Sequence, residues 1–325
     1  MVRVATIGTN FITDWLLDAA KHCEGFEYVA AYSRNEETAR AFADKYGVKT
    51  LFTDLEELAC STEIDAVYVA SPNSLHCEQS ILMMEHGKHV LCEKAAASNA
   101  KELRLMIETA QRHNVVYLEA IKNIFEPGFL AIKDNLHKLG PIRRVSFEYC
   151  QYSSRYDNFK AGIMSNIFDP RFSAGALMDI GIYCVHPLVK LFGRPEILHA
   201  EALLLNDQID GTGTVLARAG DILMDIIYSK ITHSDLPCQI QGEAATLVFA
   251  RVSNIDWVEI RYKDGRVEKI DFAKDYPTMT YQIIEWLSLI ATDTFVHEHN
   301  KQSLMVMEVM DEIRQKMGVT FPADH

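Results

Sequence analysis

Three polar, titratable side chains recur at helical spacing near the middle of the chain. They are Asp179, Tyr183 and His186, at positions i, i+4 and i+7, which share one face of an α-helix. The surrounding residues 173–186 are mostly small or apolar, and burying unpaired titratable groups among them is costly. The pattern therefore predicts either a site for proton transfer and substrate binding or a satisfied polar network in the core.

A second group of polar residues follows two apolar, strand-like runs. The group consists of Ser71, Pro72, Asn73 and His76 after the run 65–70, and of Glu93 and Lys94 after the run 88–92. The carboxyl ends of parallel strands form the ligand-binding edge of doubly wound folds, so we expect cofactor contacts here. The alternative is a surface histidine and a solvated Glu–Lys pair.

The segment Gly8-Thr9-Asn10-Phe11-Ile12-Thr13 lies where a Rossmann phosphate loop belongs, between the first strand and the first helix. The usual loop has three glycines, and only the first is present here. Asn10 tolerates a left-handed backbone and could preserve the turn. The amides around Phe11 and Ile12 could then face a pyrophosphate, although a plain strand–helix turn is the alternative.

Ser33 and Arg34 follow the second strand-like run, where sites that prefer NAD usually carry an acidic residue for the ribose hydroxyl. A guanidinium can instead pair with a 2′-phosphate and stack on the adenosine. The pair therefore favours NADP over NAD, with a solvated surface arginine as the alternative.

The elements that position these residues change character near residue 121. Before it, strand-like runs alternate with helical segments, which predicts a parallel sheet covered on both faces. The predicted strands are 2–7, 26–32, 65–70, 88–92 and 115–120, and the predicted helices are 11–22, 36–46, 74–86 and 99–113. This pattern predicts an α/β Rossmann domain over residues 1–121.

Residues 122–325 form the second predicted domain. Several strand-like runs between 197 and 271 are divided by expected turns at Asp210-Gly211, 219–221 and Asp264-Gly265, which favours an antiparallel sheet. Helices are expected at 127–139, 176–192, 280–292 and 303–317. This domain is therefore predicted to be α+β.

Bulk composition limits the classes of partner. The formal net charge is −13 and no cluster of Lys and Arg is present, so a nucleic-acid binder is disfavoured. The seven scattered cysteines form no Cys-x-x-Cys pair, which disfavours a disulfide framework and a zinc site; we expect no metal. No long uninterrupted apolar run and no signal-peptide pattern were recognised, so a cytoplasmic protein without a membrane partner is expected.

Taken together, these motifs resemble the glucose–fructose oxidoreductase/inositol dehydrogenase (Gfo/Idh/MocA) family over nearly the whole chain. The resemblance rests on residues 4–8, 32–34, 71–76, 87–94 and 175–183. The last block is most similar to the dihydrodiol dehydrogenase and glucose–fructose oxidoreductase branch, in which a tyrosine is the proposed acid/base. The inositol dehydrogenase branch relies on a histidine.

The resemblance implies a Rossmann domain followed by an α/β domain whose open, mainly antiparallel sheet often mediates oligomerisation. A homodimer or larger assembly is expected, because the helices after the strand run 197–271 do not suffice to cover both faces of the sheet. It implies that NAD(P) lies across Gly8, Arg34, Asn73 and Glu93, and that Lys94 and Tyr183 are catalytic. Two departures stand out. The phosphate loop lacks two glycines, and the family's Glu-Lys-Pro reads Glu93-Lys94-Ala95, without the proline that fixes φ.

The sequence is therefore interpreted as an NAD(P)-dependent oxidoreductase acting on a secondary alcohol or carbonyl of a sugar, polyol or related small molecule. Tyr183 would move the proton, Lys94 would lower the tyrosine's pKa, and Asp179 and His186 would contact the substrate. Two alternatives remain: a non-catalytic cofactor-binding regulator or subunit, and an NAD(P)-dependent glycosidase or lyase.

Overall fold

The structure is a computed structural model and describes residues 1–206 and 208–325. The chain divides into two compact units. The first unit comprises Met1–Ala120 and Tyr276–Leu304, and the second comprises Ile121–Asp275 and Met305–His325. The first crossing between units falls where the sequence pattern changes, whereas residues 276–304, assigned above to the second domain, group with the first unit.

Six parallel strands form the sheet of the first unit within the described residues. They are β1 (Val2–Ile7), β2 (Phe26–Tyr32), β3 (Thr50–Phe52), β4 (Ala66–Val69), β5 (His89–Glu93) and β6 (Tyr117–Ala120). Their order is β3-β2-β1-β4-β5-β6, so the winding reverses between β1 and β4. Ligands of doubly wound sheets bind at the carboxyl ends of the strands beside such a reversal, and the predicted Rossmann fold is confirmed.

Helices alternate with these strands, and several begin where the sequence places Asn or Asp. They are α1 (Phe11–Ala20), α2 (Glu36–Lys45), α3 (Leu55–Cys60), α4 (His76–Glu85) and α5 (Ala100–His113). The side chains of Asn10, Asn35, Asp54 and Asn99 each accept a backbone N–H of the helix that follows. These caps satisfy donors that the first helical turn leaves unpaired.

Side-chain contacts explain why residues near the C-terminus group with the first unit. The helix α9 (Thr278–Ala291) packs on α1, and Thr280 Oγ1 donates to the carbonyl oxygen of Ala19 at 3.1 Å. The Nε2 atom of His297 lies 3.0 Å from the carbonyl oxygen of Tyr117 on β6. Helix α10 (Glu298–Met317) follows, with its residues up to Leu304 in the first unit and the rest in the second.

Eight strands of the described residues form the sheet of the second unit. They are β7 (Ile142–Cys150), β8 (Glu196–Leu205), β9 (Ile209–Ala219), β10 (Ile222–Ser229), β11 (Cys238–Gly242), β12 (Ala245–Phe249), β13 (Val258–Tyr262) and β14 (Val267–Ile270). The order is β14-β13-β12-β11-β7-β10-β9-β8, and β7 and β10 pair in parallel while the other neighbours pair antiparallel. The predicted mainly antiparallel sheet is confirmed.

Two of the three expected turns are correct. Residues 219–221 connect β9 to β10, and Asp264-Gly265 connects β13 to β14. The turn expected at Asp210-Gly211 is wrong, because both residues lie inside β9. In an Asp-Gly turn the carboxylate usually bonds to the backbone two residues later in the chain. The buried carboxylate of Asp210 instead accepts the N–H of Leu177, in another element.

Helices α6 (Pro127–Asn135), α7 (Ser154–Lys160) and α8 (Ile182–Phe192) belong to the second unit. The stretch Pro170–Phe192 is long and apolar enough, with a mean hydropathy of 1.4, to meet a composition test for a membrane helix. However, 89% of that stretch's most apolar window is buried inside the fold, as in the core helix of a globular protein.

Candidate active site

The loop after β1 places a glycine against the neighbouring strand. Gly8 has φ +113°, and a Cβ atom there would lie 2.6 Å from the carbonyl oxygen of Ala70, so glycine is required. The left-handed backbone expected at Asn10 is wrong: its φ is −94°, and its Oδ1 accepts the N–H of Ile12 at 3.0 Å as the cap of α1. The close approach at Gly8 and the N-terminal amides of α1 fit a pyrophosphate despite the missing glycines.

The end of β2 carries the residues predicted to select the cofactor. Arg34 is exposed, and Ser33 is half-buried with its Oγ accepting the N–H of Asn35 at 3.4 Å. Asn35 in turn caps α2 by accepting the N–H of Thr38 at 2.9 Å. The guanidinium therefore projects from a capped, well-defined strand–helix turn.

His76, the first residue of α4, connects two loops at the carboxyl edge of the sheet. It is fully buried, with Nε2 2.8 Å from the carbonyl oxygen of Ser71 and Nδ1 2.9 Å from that of Ala95. Burial lowers the pKa of His76, and the two carbonyl contacts oppose this lowering. Ser71 Oγ also donates to Gln79 Oε1 at 2.7 Å. The ring is thus engaged with backbone on both sides and shapes the loop after β4.

Lys94 directly follows β5, and buried carboxylates hold the turn that carries it. Glu93 accepts the hydroxyl of Tyr68 at 2.5 Å and the N–H of Lys94 at 3.3 Å. Glu119 on β6, only 2% exposed, accepts the N–H of Ala96 at 3.1 Å. The structure thus brings Ser71, His76, Glu93 and Lys94 together at one sheet edge, as predicted.

The helix that carries Asp179, Tyr183 and His186 differs from the expected one. Leu177–Gly181 forms a π-helical turn with i→i+5 bonding before α8 begins, so the uniform α-helical spacing assumed for Asp179, Tyr183 and His186 is wrong over its first turn. Tyr183 is 8% exposed, and its carbonyl oxygen accepts Nδ2 of Asn123 at 3.0 Å. His186 is fully buried. Such π turns are frequent at functional sites.

Asp179 forms an ion pair that the sequence did not indicate. Its partner is Lys230, which directly follows β10 and whose side chain is 9% exposed, against 29% for Asp179. The backbone of Lys230 is fixed as well, because its N–H donates to Gly211 and its carbonyl oxygen accepts the N–H of Ser153. The pair therefore joins the π turn to the end of a central strand.

A second buried carboxylate anchors the start of the same π turn. Asp210 on β9 is 1% exposed, and its Oδ2 accepts the N–H of Leu177 at 2.6 Å. Gly175 has φ +109°, and a Cβ atom there would collide with this carboxylate. Burial raises the pKa of Asp210 to about 6, against the lowering effect of its hydrogen bonds, the first of them from Leu177.

Sequence reasoning missed Glu119, Lys230 and Asp210. Glu119 carried a usable signal, because it is the charged residue inside the apolar run 115–120, where a fully buried strand was predicted. Lys230 and Asp210 carried none: a lysine after a strand and an Asp-Gly pair are usual surface features. Their partners are 51 and 33 residues away in sequence, respectively.

The cysteines are mostly buried. Six of the seven are buried, Cys60 is exposed, and all are free thiols. Burial raises the pKa of Cys23 to about 11 and that of Cys77 to about 12, so these thiols stay protonated at neutral pH. In the part of the chain that the structure describes, no group of three or more His, Cys, Asp or Glu could hold a metal ion.

Family models match most of the chain. Residues 2–120 match the GFO_IDH_MocA model, described as an oxidoreductase family with an NAD-binding Rossmann fold, and residues 135–248 match the GFO/IDH/MocA C-terminal domain. The chain belongs to the Gfo/Idh/MocA oxidoreductase family, which confirms the predicted resemblance. It is an NAD(P)-dependent oxidoreductase.

Individual relatives agree with this assignment. A scyllo-inositol 2-dehydrogenase (NADP(+)) from Bacillus subtilis (strain 168) is 46% identical over 326 residues, covering 100% of this chain and 99% of the relative. An uncharacterized oxidoreductase from Escherichia coli (strain K12) is 40% identical, with 100% and 99% covered.

Solved structures share the fold. A 3-ketoreductase from Actinomadura kijaniata, in complex with NADP and TDP-benzene, has a TM-score of 0.88 at 20% identity and covers 97% of this chain and 98% of its own. A levoglucosan dehydrogenase, in complex with NADH and levoglucosan, has a TM-score of 0.82 at 18% identity, with 98% and 97% covered.

Proposed function

We propose that the enzyme transfers a hydride reversibly between NADP(H) and a secondary alcohol or carbonyl carbon of a cyclic polyol or sugar. The observation that carries the proposal is Lys94, placed directly after β5 at the ligand-binding edge of the sheet and held there by buried side chains. The relative named as a scyllo-inositol 2-dehydrogenase (NADP(+)), 46% identical over the full chain, supports the polyol class.

Tyr183 is the proposed proton carrier. When bound, the nicotinamide supplies the hydride donor or acceptor. The ordinary pKa of tyrosine, about 10, is too high for an efficient base at neutral pH. The proposed part of Lys94 is to bring a positive charge to the substrate oxygen and to donate a hydrogen bond to it.

Asp179 and His186 are the proposed substrate contacts. Lys230 neutralises the Asp179 carboxylate, whose side chain remains 29% exposed. A carboxylate in this state accepts hydrogen bonds from neutral hydroxyls without attracting a cation, which suits a polyol. His186 is fully buried, so a contact between its ring and a substrate requires neighbouring side chains to move.

The proposed cofactor site follows the carboxyl edge of the first sheet. Amides at the start of α1 hold the pyrophosphate, and the loops after β2, β4 and β5 hold the two nucleoside halves. The residues are Gly8, Asn10, Phe11, Ile12, Ser33, Arg34, Ser71, Pro72, Asn73, His76, Glu93 and Lys94. Exposed Arg34 favours NADP, because it can pair with a 2′-phosphate.

We also propose a cytoplasmic homodimer or larger closed assembly. Leu203, Leu216 and Leu223 lie on adjacent strands β8, β9 and β10, and their pairing register places them on one face of the sheet. They are 54%, 39% and 40% exposed, and their cross-strand partners on this face are the polar residues Thr212, His199, Asp225 and Arg218. Exposed leucines among polar residues match the mixed composition of protein–protein interfaces. The free cysteines suit a reducing compartment.

Steady-state assays with inositol isomers, glucose and a linear polyol, each with NADP+ and NAD+, test the function. We expect NADPH formation with a cyclic substrate, and loss of turnover in Lys94→Ala but not in Lys101→Ala, an exposed lysine on α5. Product analysis of the same mixtures detects hydride return without net NADPH. Tight cofactor binding with no product from any substrate would contradict the proposal.

A further inference from the structure

The turn that carries Lys94 lacks a proline but is held at successive backbone groups. The N–H of Lys94 donates to Glu93, the carbonyl oxygen of Ala95 lies 2.9 Å from Nδ1 of His76, and the N–H of Ala96 donates to Glu119 at 3.1 Å. Side chains from three different elements therefore contact the backbone of three consecutive residues, Lys94, Ala95 and Ala96.

Burying the three side chains that hold this turn is costly, which indicates that the geometry of the turn serves the function of Lys94. Glu93 is 7% exposed, Glu119 is 2% exposed and His76 is fully buried. Desolvating titratable groups is unfavourable unless hydrogen bonds compensate, and apolar residues would fill the same space at less cost. Ala95 and Ala96 are themselves fully buried.

The strand register explains how Glu119 reaches the turn. In the parallel pair β5–β6, Glu119 lies opposite Cys92, two residues before Lys94. Its side chain therefore lies beside the end of β5, where the turn begins. His76 approaches from the other neighbouring strand, because it opens the helix that follows β4.

We infer that Glu119 and His76 are positioning residues, which fix the backbone of the two residues after Lys94 and so aim its ammonium at the reacting oxygen. Glu119 acts as an acceptor for Ala96, and His76 ties the turn to the loop at Ser71. The inference rests on the proposed function, since it concerns the catalytic use of Lys94. A displacement of about 1 Å at a catalytic group can cost on the order of 100-fold in rate.

The test compares Glu119→Ala with Glu119→Gln, which keeps an acceptor oxygen at the same place. We expect Glu119→Ala to lower kcat by roughly 10- to 100-fold while substrate KM and NADPH Kd change less than about threefold. Glu119→Gln should recover most of the lost kcat. A residue that served only stability would lower the melting temperature without this separation of kcat from KM.

Glu102→Ala is the matched control. Glu102 also accepts a backbone N–H, that of Ser98 at 2.9 Å, but two residues beyond the turn. It should lower stability and leave kcat unchanged. If Glu119→Ala does not fold, Glu119→Leu, which fills a similar space but accepts no hydrogen bond, should show the same selective loss of kcat.

Lys94→Ala separates the two proposals. An inactive Lys94→Ala together with wild-type kcat in Glu119→Ala overturns the inference and leaves the proposed function standing. Wild-type activity in Lys94→Ala overturns the proposed role of Lys94 itself. Equal losses in Glu119→Ala and Glu119→Gln would also overturn the inference, because the acceptor geometry would then be irrelevant.

Discussion

Two buried carboxylates, one in each unit, hold the backbone next to a predicted site residue. Glu119 accepts an amide beside Lys94, and Asp210 accepts the amide of Leu177 two residues before Asp179. A bond to backbone fixes the path of the chain, whereas a bond between two side chains fixes only their ends. These residues therefore contribute to chemistry by restricting where the reacting side chains can lie.

Tyr183→Phe removes the hydroxyl and keeps the ring, which packs edge-to-face on Tyr149 with centroids 5.9 Å apart. Stability and cofactor affinity should therefore stay near wild type. Proton transfer of this kind contributes roughly 10²–10⁴-fold, and turnover should fall by about that factor. Stopped-flow and steady-state rates check it, with Tyr152→Phe, on an exposed loop, as the control. Wild-type turnover in Tyr183→Phe would make the tyrosine purely structural.

Arg34→Ala should weaken NADP(H) binding and leave NAD(H) binding nearly unchanged. A charge-assisted contact to the 2′-phosphate is worth about 1.5–3 kcal/mol, so the NADPH Kd should rise by roughly 10- to 150-fold. Fluorescence titration of both cofactors at fixed salt measures this. Arg40→Ala, which removes a guanidinium paired with Glu36 on α2, is the control. Equal effects on both cofactors would remove Arg34 from the 2′-phosphate site.

Lys230→Met should destabilise the protein, because it leaves the half-buried carboxylate of Asp179 without this cation. Breaking a fully buried pair costs about 3–5 kcal/mol, and the 29% exposure of Asp179 reduces the expected loss to roughly 1–3 kcal/mol. Lys230→Arg should recover most of it. Urea unfolding measures the change, and an unaltered midpoint for Lys230→Met would show that the pair contributes nothing.

At the scale of the element, the sequence predicted those strands and helices whose bounds depend on residues close in sequence. The strands at 2–7 and 26–32 and the helices capped by Asn10, Asn35 and Asn99 follow from apolar runs and Asx side chains nearby in sequence. The π turn Leu177–Gly181 does not follow from nearby sequence, because the N–H of Leu177 donates to Asp210, which lies on a strand distant in sequence. Asp210 and Gly211, predicted as a turn, lie in β9, which pairs with strands on both sides.

The pH dependence of stability should report this anchor. Burial raises the folded-state pKa of Asp210 to about 6, so between about pH 4 and 6 the folded state binds more protons than the unfolded state. The contribution of Asp210 to the free energy of unfolding is therefore fully present at low pH and is lost as pH rises through 6. It amounts to about 3 kcal/mol.

Asp210→Asn keeps an acceptor for Leu177 but cannot ionise. The difference in unfolding free energy between variant and wild type should grow from pH 4 to pH 6 in favour of the variant and then level off. Urea titrations at matched ionic strength measure that difference, and other carboxylates cancel in it. Parallel curves would show that Asp210 keeps an ordinary pKa.

At the scale of the whole molecule, the chain path was the least predictable feature. The change of pattern at residue 121 is visible in sequence because the order of strands and helices changes there. The grouping of Tyr276–Leu304 with the first unit is not visible in sequence, since it depends on packing between α9 and α1, where Thr280 contacts Ala19 from 261 positions away. Helical periodicity identifies an apolar face but does not name the surface that covers it.

The assembly itself gives the last prediction, which concerns the face defined by Leu203, Leu216 and Leu223. Light scattering of the wild type at micromolar concentration should give a multiple of the chain mass. Leu216→Asp replaces an exposed leucine of this face by a charge next to Asp225, and since a closed symmetric interface uses the same face of both subunits, each substitution acts twice. Burying a leucine is worth roughly 1.5–3 kcal/mol, so dissociation should be favoured by at least about 100-fold.

Leu105→Asp, at an exposed leucine on α5 in the first unit, should leave the mass unchanged. A wild-type monomer, or an unchanged assembly in Leu216→Asp, would show that this face is not the interface.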